Sequence, residues 1–312
     1  MTKKYIETSY ARFDHAHLFD GLFIPTNGVK RGRLFVEPRQ FDHLLISFQG
    51  FEQLGGDDQS LLLAITAQLG TDGLMIEKEP TGDMNKQLKL ALDFNEADNR
   101  VLASTRTTFR RILIDAGYKE NTSTNFVKDS LNRLANTQIR EVNLETGWDR
   151  RCNLISVKFN QKTKEIWVAA NPRLTQAIFA IEKKQHVIIS LLERNSLKGE
   201  AAKILHAWLC AFTEQGQYFG NAYGTNLDTF APHIFGGKAW ETASASSKSR
   251  KRRQIEGALV EISQRWEITQ DAAGMVHIKR PSFEFRHLPS EDADKDWSLK
   301  SLHKLLTEQK GL

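Results

Sequence analysis

Arg250, Arg253 and Gln254 are the side chains of this chain best suited to reading a nucleic acid. A guanidinium pairs with two acceptors of guanine, and a glutamine amide pairs with adenine. The three sit in the run Lys248, Ser249, Arg250, Lys251, Arg252, Arg253 and Gln254; five of the seven residues from 247 to 253 are Lys or Arg. Lys248, Lys251 and Arg252 are placed to neutralise phosphates, with Ser249 among them. Ile255, Leu259, Ile262 and Trp266 then recur on one helical face. At about 100° per residue, Arg250, Arg253 and Gly257 fall on the opposite side and Gln254 on the flank. Gly257 costs about 1 kcal/mol inside a helix, but it leaves room for a phosphate chain to approach.

A basic run alone is more often a solvated face or a localisation-like signal. The residues just beyond this run change the balance. Residues 267–269 and 275–279 read as short strands joined by a turn at 270–274, with Pro281 beyond. Helix, strand, turn, strand is the second half of a winged helix, with the basic helix where a recognition helix sits. Lys279 and Arg280, at the hairpin's end, are candidates for the adjacent DNA backbone. In the first half, a helix over 124–136 sets Val127, Leu131 and Leu134 inward and Asn125, Asp129, Asn132 and Asn136 outward, with Lys128 and Arg133 on its flanks. Asn125, Lys128, Asn132 and Arg133 are candidate DNA contacts. Arg106, Arg110 and Arg111, assigned to the preceding helix, are candidate backbone contacts. Plain solvent exposure explains this weaker set equally well.

Catalytic signatures are missing. Phe235-Gly236-Gly237-Lys238 lacks the first glycine of a phosphate loop, and Ala239 comes after the lysine. His15-Ala16-His17 has the form of a metal pair in DNA-nicking enzymes, but no nucleophilic tyrosine accompanies it on a suitable helix. His206 reads as a core histidine. Cys152 and Cys210 stand apart without metal spacing. The expectation is a non-enzyme with no cofactor and no metal. No leader-like or membrane-spanning apolar stretch is present, so a cytoplasmic bacterial protein without a membrane role is expected.

The chain has 312 residues, a net charge of +5 and 40% hydrophobic content, which suits a two-domain globular protein. The predicted class is α+β: two winged-helix (helix-turn-helix) domains forming a pseudo-dimer, with short irregular extensions at both ends. Residues 1–54 form the N-terminal extension, irregular apart from a candidate strand at 44–48. Domain 1 covers 55–160. It holds a helix from an acidic start at 55–58 to Gly70, strands at 74–76 and 88–94, and a helix capped by Ser104 or Thr105 and closed by Gly117. After the 124–136 helix, a wing pairs 139–144 with 153–159 across a large turn. Residues 161–195 form a bridge with strands at 165–169 and 186–191 and a helix at 172–180. Domain 2 covers 196–281: a helix over 198–213 with Ala202, Leu205, Leu209 and Phe212 inward, a strand-like 218–223, a short helix marked by Leu227, Phe230 and Ile234, then the basic helix and its wing. In the tail, 282–312, an acidic stretch precedes leucines at helical spacing.

The ordered set Leu54-Gly55-Gly56-Asp57-Asp58, Val168-Ala169-Ala170-Asn171-Pro172, Leu205-His206-Ala207-Trp208-Leu209-Cys210, Arg250 to Ile255 and Ile278-Lys279-Arg280-Pro281 resembles the RepC replication initiators of IncQ-type plasmids. The resemblance spans roughly residues 45–281. It implies a protein that binds directly repeated iterons on double-stranded DNA at a plasmid origin. It also implies opening of adjacent AT-rich DNA and help in loading a plasmid-encoded hexameric helicase, after which a primase acts. Initiators of this kind interconvert between dimers and monomers, so a homodimer is among the states to expect. The rival class is a double winged-helix transcriptional repressor on a promoter operator.

Overall fold

The computed structural model describes residues 10–26, 30–76, 82–92, 102–180, 186–220 and 223–282. The expected helix and acidic stretch of the tail lie outside the described residues. The architecture is mixed α and β with antiparallel sheets, as the composition and patterning predict.

The N-terminal segment is not irregular. Strand β1 (Tyr10–Asp14) runs into a 3-10 turn, His15–Leu18, where the Asp14 carboxylate accepts from the Ala16 amide at 2.7 Å. β2 (Leu34–Phe41) and β3 (Leu44–Gly50) form a hairpin whose register shifts between Val36 and Arg39, around Pro38. Phe13, Phe23 and Phe48 from this segment are core residues.

Helix α1 (Gly56–Asp72) is buried along most of its length; Leu61, Leu62, Leu63, Ile65 and Leu69 all lie inside. β4 (Leu74–Ile76) comes next, as expected. The strand expected at 88–94 is instead the end of helix α2 (Asp83–Leu92), beyond which 93–101 are outside the described residues. β5 (Leu102–Thr108) absorbs Ser104 and Thr105, and Thr108 is the residue that caps α3 (Phe109–Asp115), accepting from the Arg111 amide at 3.3 Å. Gly117 ends that helix at φ +80°, and a Cβ there would stand 2.6 Å from the Asn195 side chain. α4 (Thr124–Ala135), capped by Ser123, sets Val127, Leu131 and Leu134 fully inward.

The first hairpin differs from expectation. β6 (Gln138–Asn143) pairs with β7 (Asp149–Asn153), so the supposed turn is strand from Asp149 onward. Charged residues on the solvent side of an edge strand look like loop when read alone. β8 (Ile155–Phe159) belongs to another sheet, where it pairs with β9 (Glu165–Ala170). The two four-stranded sheets run β2-β3-β6-β7 and β4-β5-β9-β8. α5 (Pro172–Ile178) starts at an Asn171 cap, β10 (His186–Ser190) pairs with β1, and α6 (Leu191–Ser196) comes after it.

In the second half, α7 (Glu200–Phe212) buries Ala202, Leu205 and Leu209, whereas Phe212 is 55% exposed rather than on the inner face. A 3-10 turn at Leu227–Phe230 leads into α8 (Ala231–Phe235), and a further short helix, α9 (Gly237–Glu241), adds to the expected elements. α10 (Ala245–Ile262), β11 (Glu267–Gln270) and β12 (Val276–Lys279) complete the unit, with Glu267 opposite Lys279. With β4, α2 and β5 set aside in the first half and α9 in the second, helix, short helix, helix, hairpin recurs: α1, α3, α4, β6–β7 and α7, α8, α10, β11–β12. One buried core runs through both halves. At their joint the Gly56 Cα faces Glu200, and a Cβ added to Gly56 would lie 3.1 Å from that residue's Cβ.

Candidate nucleic-acid interface

The basic run is part of α10, as its helical spacing predicts. Ser244 caps the helix by accepting from the Ser247 amide at 3.3 Å, so residues 248–253 are its fourth to ninth residues. Ile255, Leu259 and Ile262 are buried, as is Trp266 just past the end. Each buried aliphatic side chain of this kind contributes about 1.5–3 kcal/mol relative to exposure, which fixes which face turns outward. Ser249, Arg250, Arg253, Gln254 and Gly257 lie on that exposed face, and nothing stands within 4 Å of a Cβ built on Gly257.

Three ties hold the helix at its angle. The Glu261 carboxylate accepts from the Lys198 and Gly199 amides ahead of α7, the shortest contact being 2.6 Å. The Trp266 indole N–H donates to Glu193 at 3.1 Å. Arg252 donates through Nε and Nη2 to the two Asp228 oxygens, each at 2.6 Å. The arginine holds the Asp228 carboxyl below its ordinary range.

Not every cation of the run faces solvent. Lys251 turns back: its ammonium donates to the Ala239 carbonyl at 2.9 Å and lies 5.1 Å from the Phe235 ring centroid. Burial lowers its pKa first, with Arg250 and Lys248 adding repulsion. Lys248 and Arg252 both lie over the Trp240 ring, at 5.3 and 5.9 Å. The outward set is thus narrower than the sequence predicts. Arg250, Arg253 and Gln254 remain exposed within it.

On the second hairpin, Lys279 is half-buried, bonded to Glu267 at 3.1 Å and set over Tyr218. Arg280 does not fit a phosphate-contacting role. It is 3% exposed, and its guanidinium donates to the carbonyls of Cys210, Thr213 and Ile188 at 2.7, 3.0 and 2.7 Å. Three carbonyls at a chain junction attract a cation inward more strongly than a hairpin end holds it out.

In the first half, α4 presents Asn125, Asp129, Asn132 and Asn136 to solvent. Lys128 is half-buried over the Phe109 ring at 5.7 Å. Arg133 is turned to structural use: Nη2 donates to the fully buried Asp58 at 2.9 Å, a carboxylate that also receives the Arg31 guanidinium, Ser130 and the Gly55 amide. Arg106 lies on β5 rather than on the helix and pairs with Glu165 across the sheet. Arg110 pairs with Glu120 at 2.7 Å, and Arg111 with Asp72. This face is therefore carried by amides more than by free cations.

His17 is buried between Phe13 and Phe48, and His15 has its pKa lowered by burial. Among the described residues no three His, Cys, Asp or Glu side chains cluster as metal ligands. His206 is a core histidine bonded to Glu193 at 3.0 Å. No described helix is long and apolar enough to cross a membrane. One exposed aromatic is not singled out by sequence reasoning: Trp148, at the β6–β7 turn. A tryptophan beside a glycine in a polar turn is its only signal.

A family model described as Replication protein C (RepC) matches residues 5–282, a span that includes both α4 and α10. The chain belongs to the RepC family. Membership makes it a plasmid replication protein. A search of curated proteins finds no match. In this RepC protein the resemblance segments have structural uses: Gly56 makes the close approach to Glu200, Asp58 ties α1 to α4, and Asn171 caps α5.

Proposed function

We propose that this RepC protein is a non-enzymatic initiator that binds directly repeated iterons at its plasmid origin, opens adjacent AT-rich DNA and helps load a hexameric helicase. The observation that carries the reading is the exposed face of α10. Arg250, Arg253 and Gln254 stand together in the second and third turns of a capped helix whose other face is core. A helix lying in a major groove brings its N-terminal half to the base edges. The two repeated helix–helix–hairpin units are read as winged helices, the second carrying most of the charge. Two such readers on one chain suit successive major-groove faces about 34 Å apart. Strain from bending DNA across both is the source of opening.

A mobility-shift titration tests this, using a duplex with the cognate direct repeats against a scrambled duplex near 150 mM salt. The expected result is a Kd of about 10⁻⁸ to 10⁻¹¹ M and at least about 10³-fold preference for the repeats. Equal, micromolar binding to both duplexes would sink the reading. Footprints then separate an initiator, covering an array of direct repeats, from a repressor covering a palindrome.

A further inference from the structure

Trp148 is 65% exposed, yet the turn that carries it is tightly fixed. The Asn143 amide donates to the Trp148 carbonyl at 2.8 Å, and the Gly147 amide donates to the Asn143 carbonyl at 2.8 Å. The Asn143 side-chain oxygen accepts from the amides of Glu145 and Thr146, both at 2.9 Å. The Leu144 amide bonds the His43 carbonyl at 2.8 Å, clamping this turn to the neighbouring β2–β3 turn. A large indole is thus held out on a rigid support without burying itself. The fold gains little from that placement, because the hydrophobic return on an exposed ring is small.

Beside the indole lies a cleft between the two turns and α5, lined by Phe41, Asn143, Trp148, Arg150, Arg173 and Gln176. Glu141 and Asp42 also line it; Arg173 is buried, pairs with Asp14 at 3.0 Å and stands 3.8 Å from Glu141, so Arg150 is the cation that the cleft offers a ligand. Aromatic faces, amides and guanidinium groups at one place are the chemistry of a nucleobase site. The indole stacks on the base, the amides bond its edge and Arg150 meets the phosphate. A paired base inside a duplex offers only its groove edge, so an indole face is of use to a base that has left the stack. The hairpin comes directly after α4, so a strand parting next to the bound duplex meets it.

We propose that this cleft takes an unpaired base of single-stranded DNA, with Trp148 as its stacking platform. The inference deepens the initiator reading and rests on it: duplex strain opens the strands, and the first hairpin captures one of them.

The test compares wild type, Trp148→Ala and Trp148→Phe as full-length protein, by fluorescence anisotropy on labelled oligothymidylate and on a labelled direct-repeat duplex. Truncating an exposed side chain opens no cavity, and an unchanged cooperative melt verifies this. Trp148→Ala should weaken oligothymidylate binding about 10-fold, in line with one lost stacked base. Trp148→Phe should recover most of it, and duplex affinity should not move. Unchanged oligothymidylate binding by the alanine variant, or an equal loss on the duplex, overturns the proposal. Loss of plasmid replication with oligothymidylate binding intact also overturns it, in favour of a protein-docking surface. If wild type fails to prefer the repeats, the initiator reading falls instead, and the oligothymidylate comparison still judges the cleft.

Discussion

Asp228 holds Arg252 in a two-pronged pair, 2.6 Å at each prong, and so neutralises part of the basic face of α10 from within the chain. Both groups are substantially exposed, and such a pair contributes little to folding. Its effect falls on DNA binding. Asp228→Asn should leave the melting temperature nearly unchanged while releasing Arg252 toward phosphate. Affinity for the repeats should rise, and the slope of log Kd against log salt should steepen by about one. An unchanged slope would place Arg252 away from the DNA backbone.

Arg253 and Lys251 should behave as opposites although they are near neighbours. Arg253 points outward, so Arg253→Ala should cost about 1–3 kcal/mol of specific binding and relax the sequence requirement at one position. Lys251 is committed to the Ala239 carbonyl, so Lys251→Met should barely alter the salt slope. A titration over single-base variants of the repeat measures the first effect, and a salt series measures the second. Wild-type discrimination by Arg253→Ala would remove α10 from the groove.

Gly257 allows a test that separates folding from binding. It sits inside α10 with open space around it, so alanine fits without a clash. Gly257→Ala should stabilise the protein by about 0.5–1 kcal/mol through helix propensity. If a phosphate chain passes over this position, the same methyl group weakens binding to the repeats. A higher melting temperature with unaltered Kd would show that the DNA backbone does not approach there.

The helix and hairpin of the second half are legible because their signals are local. Ile255, Leu259, Ile262 and Trp266 repeat within one element, and the 270–274 turn lies between its own strands. β1 is illegible because its partner, β10, lies far along the chain, and no local period announces such a pairing. Residues 88–92 mislead for a different reason. Leu88, Leu90 and Leu92 alternate like a strand, but in α2 only Leu88 and Leu92 are buried while Leu90 is 75% exposed. Charge gives no warning of inward use: Arg133 and Arg280 look like phosphate contacts until Asp58 and three backbone carbonyls are found around them. Trp148 carries no periodic pattern at all.

Arg280 provides the clearest contrast between a structural and a DNA-contacting cation. Removing it leaves the carbonyls of Cys210, Thr213 and Ile188 without their charged donor. Arg280→Ala should therefore destabilise the fold by about 3 kcal/mol or more, since bonds to a charged donor are worth about 1.5–3 kcal/mol each and buried acceptors resist being left unpaired. Below its lowered melting temperature the variant should bind the repeats with the wild-type salt slope. A normal melt with a shallower slope would return Arg280 to the interface.

His206 couples stability to pH through the anchor of α10. Burial alone would lower its pKa, but Cys210 at 3.9 Å and the Glu193 carboxylate at 3.0 Å raise it to about 9. Because the folded value exceeds the ordinary 6.5, the contribution is fully present below pH 6.5 and is lost as pH rises through about 9. Glu193 also accepts from the Trp266 indole, so the loss should loosen the end of the basic helix along with the core. Urea melts across this window should show wild type weakening toward alkaline pH, and His206→Gln should be less stable at pH 6.5 with a flatter profile. Parallel profiles for the two proteins would mean that the imidazolium–carboxylate pair does not form.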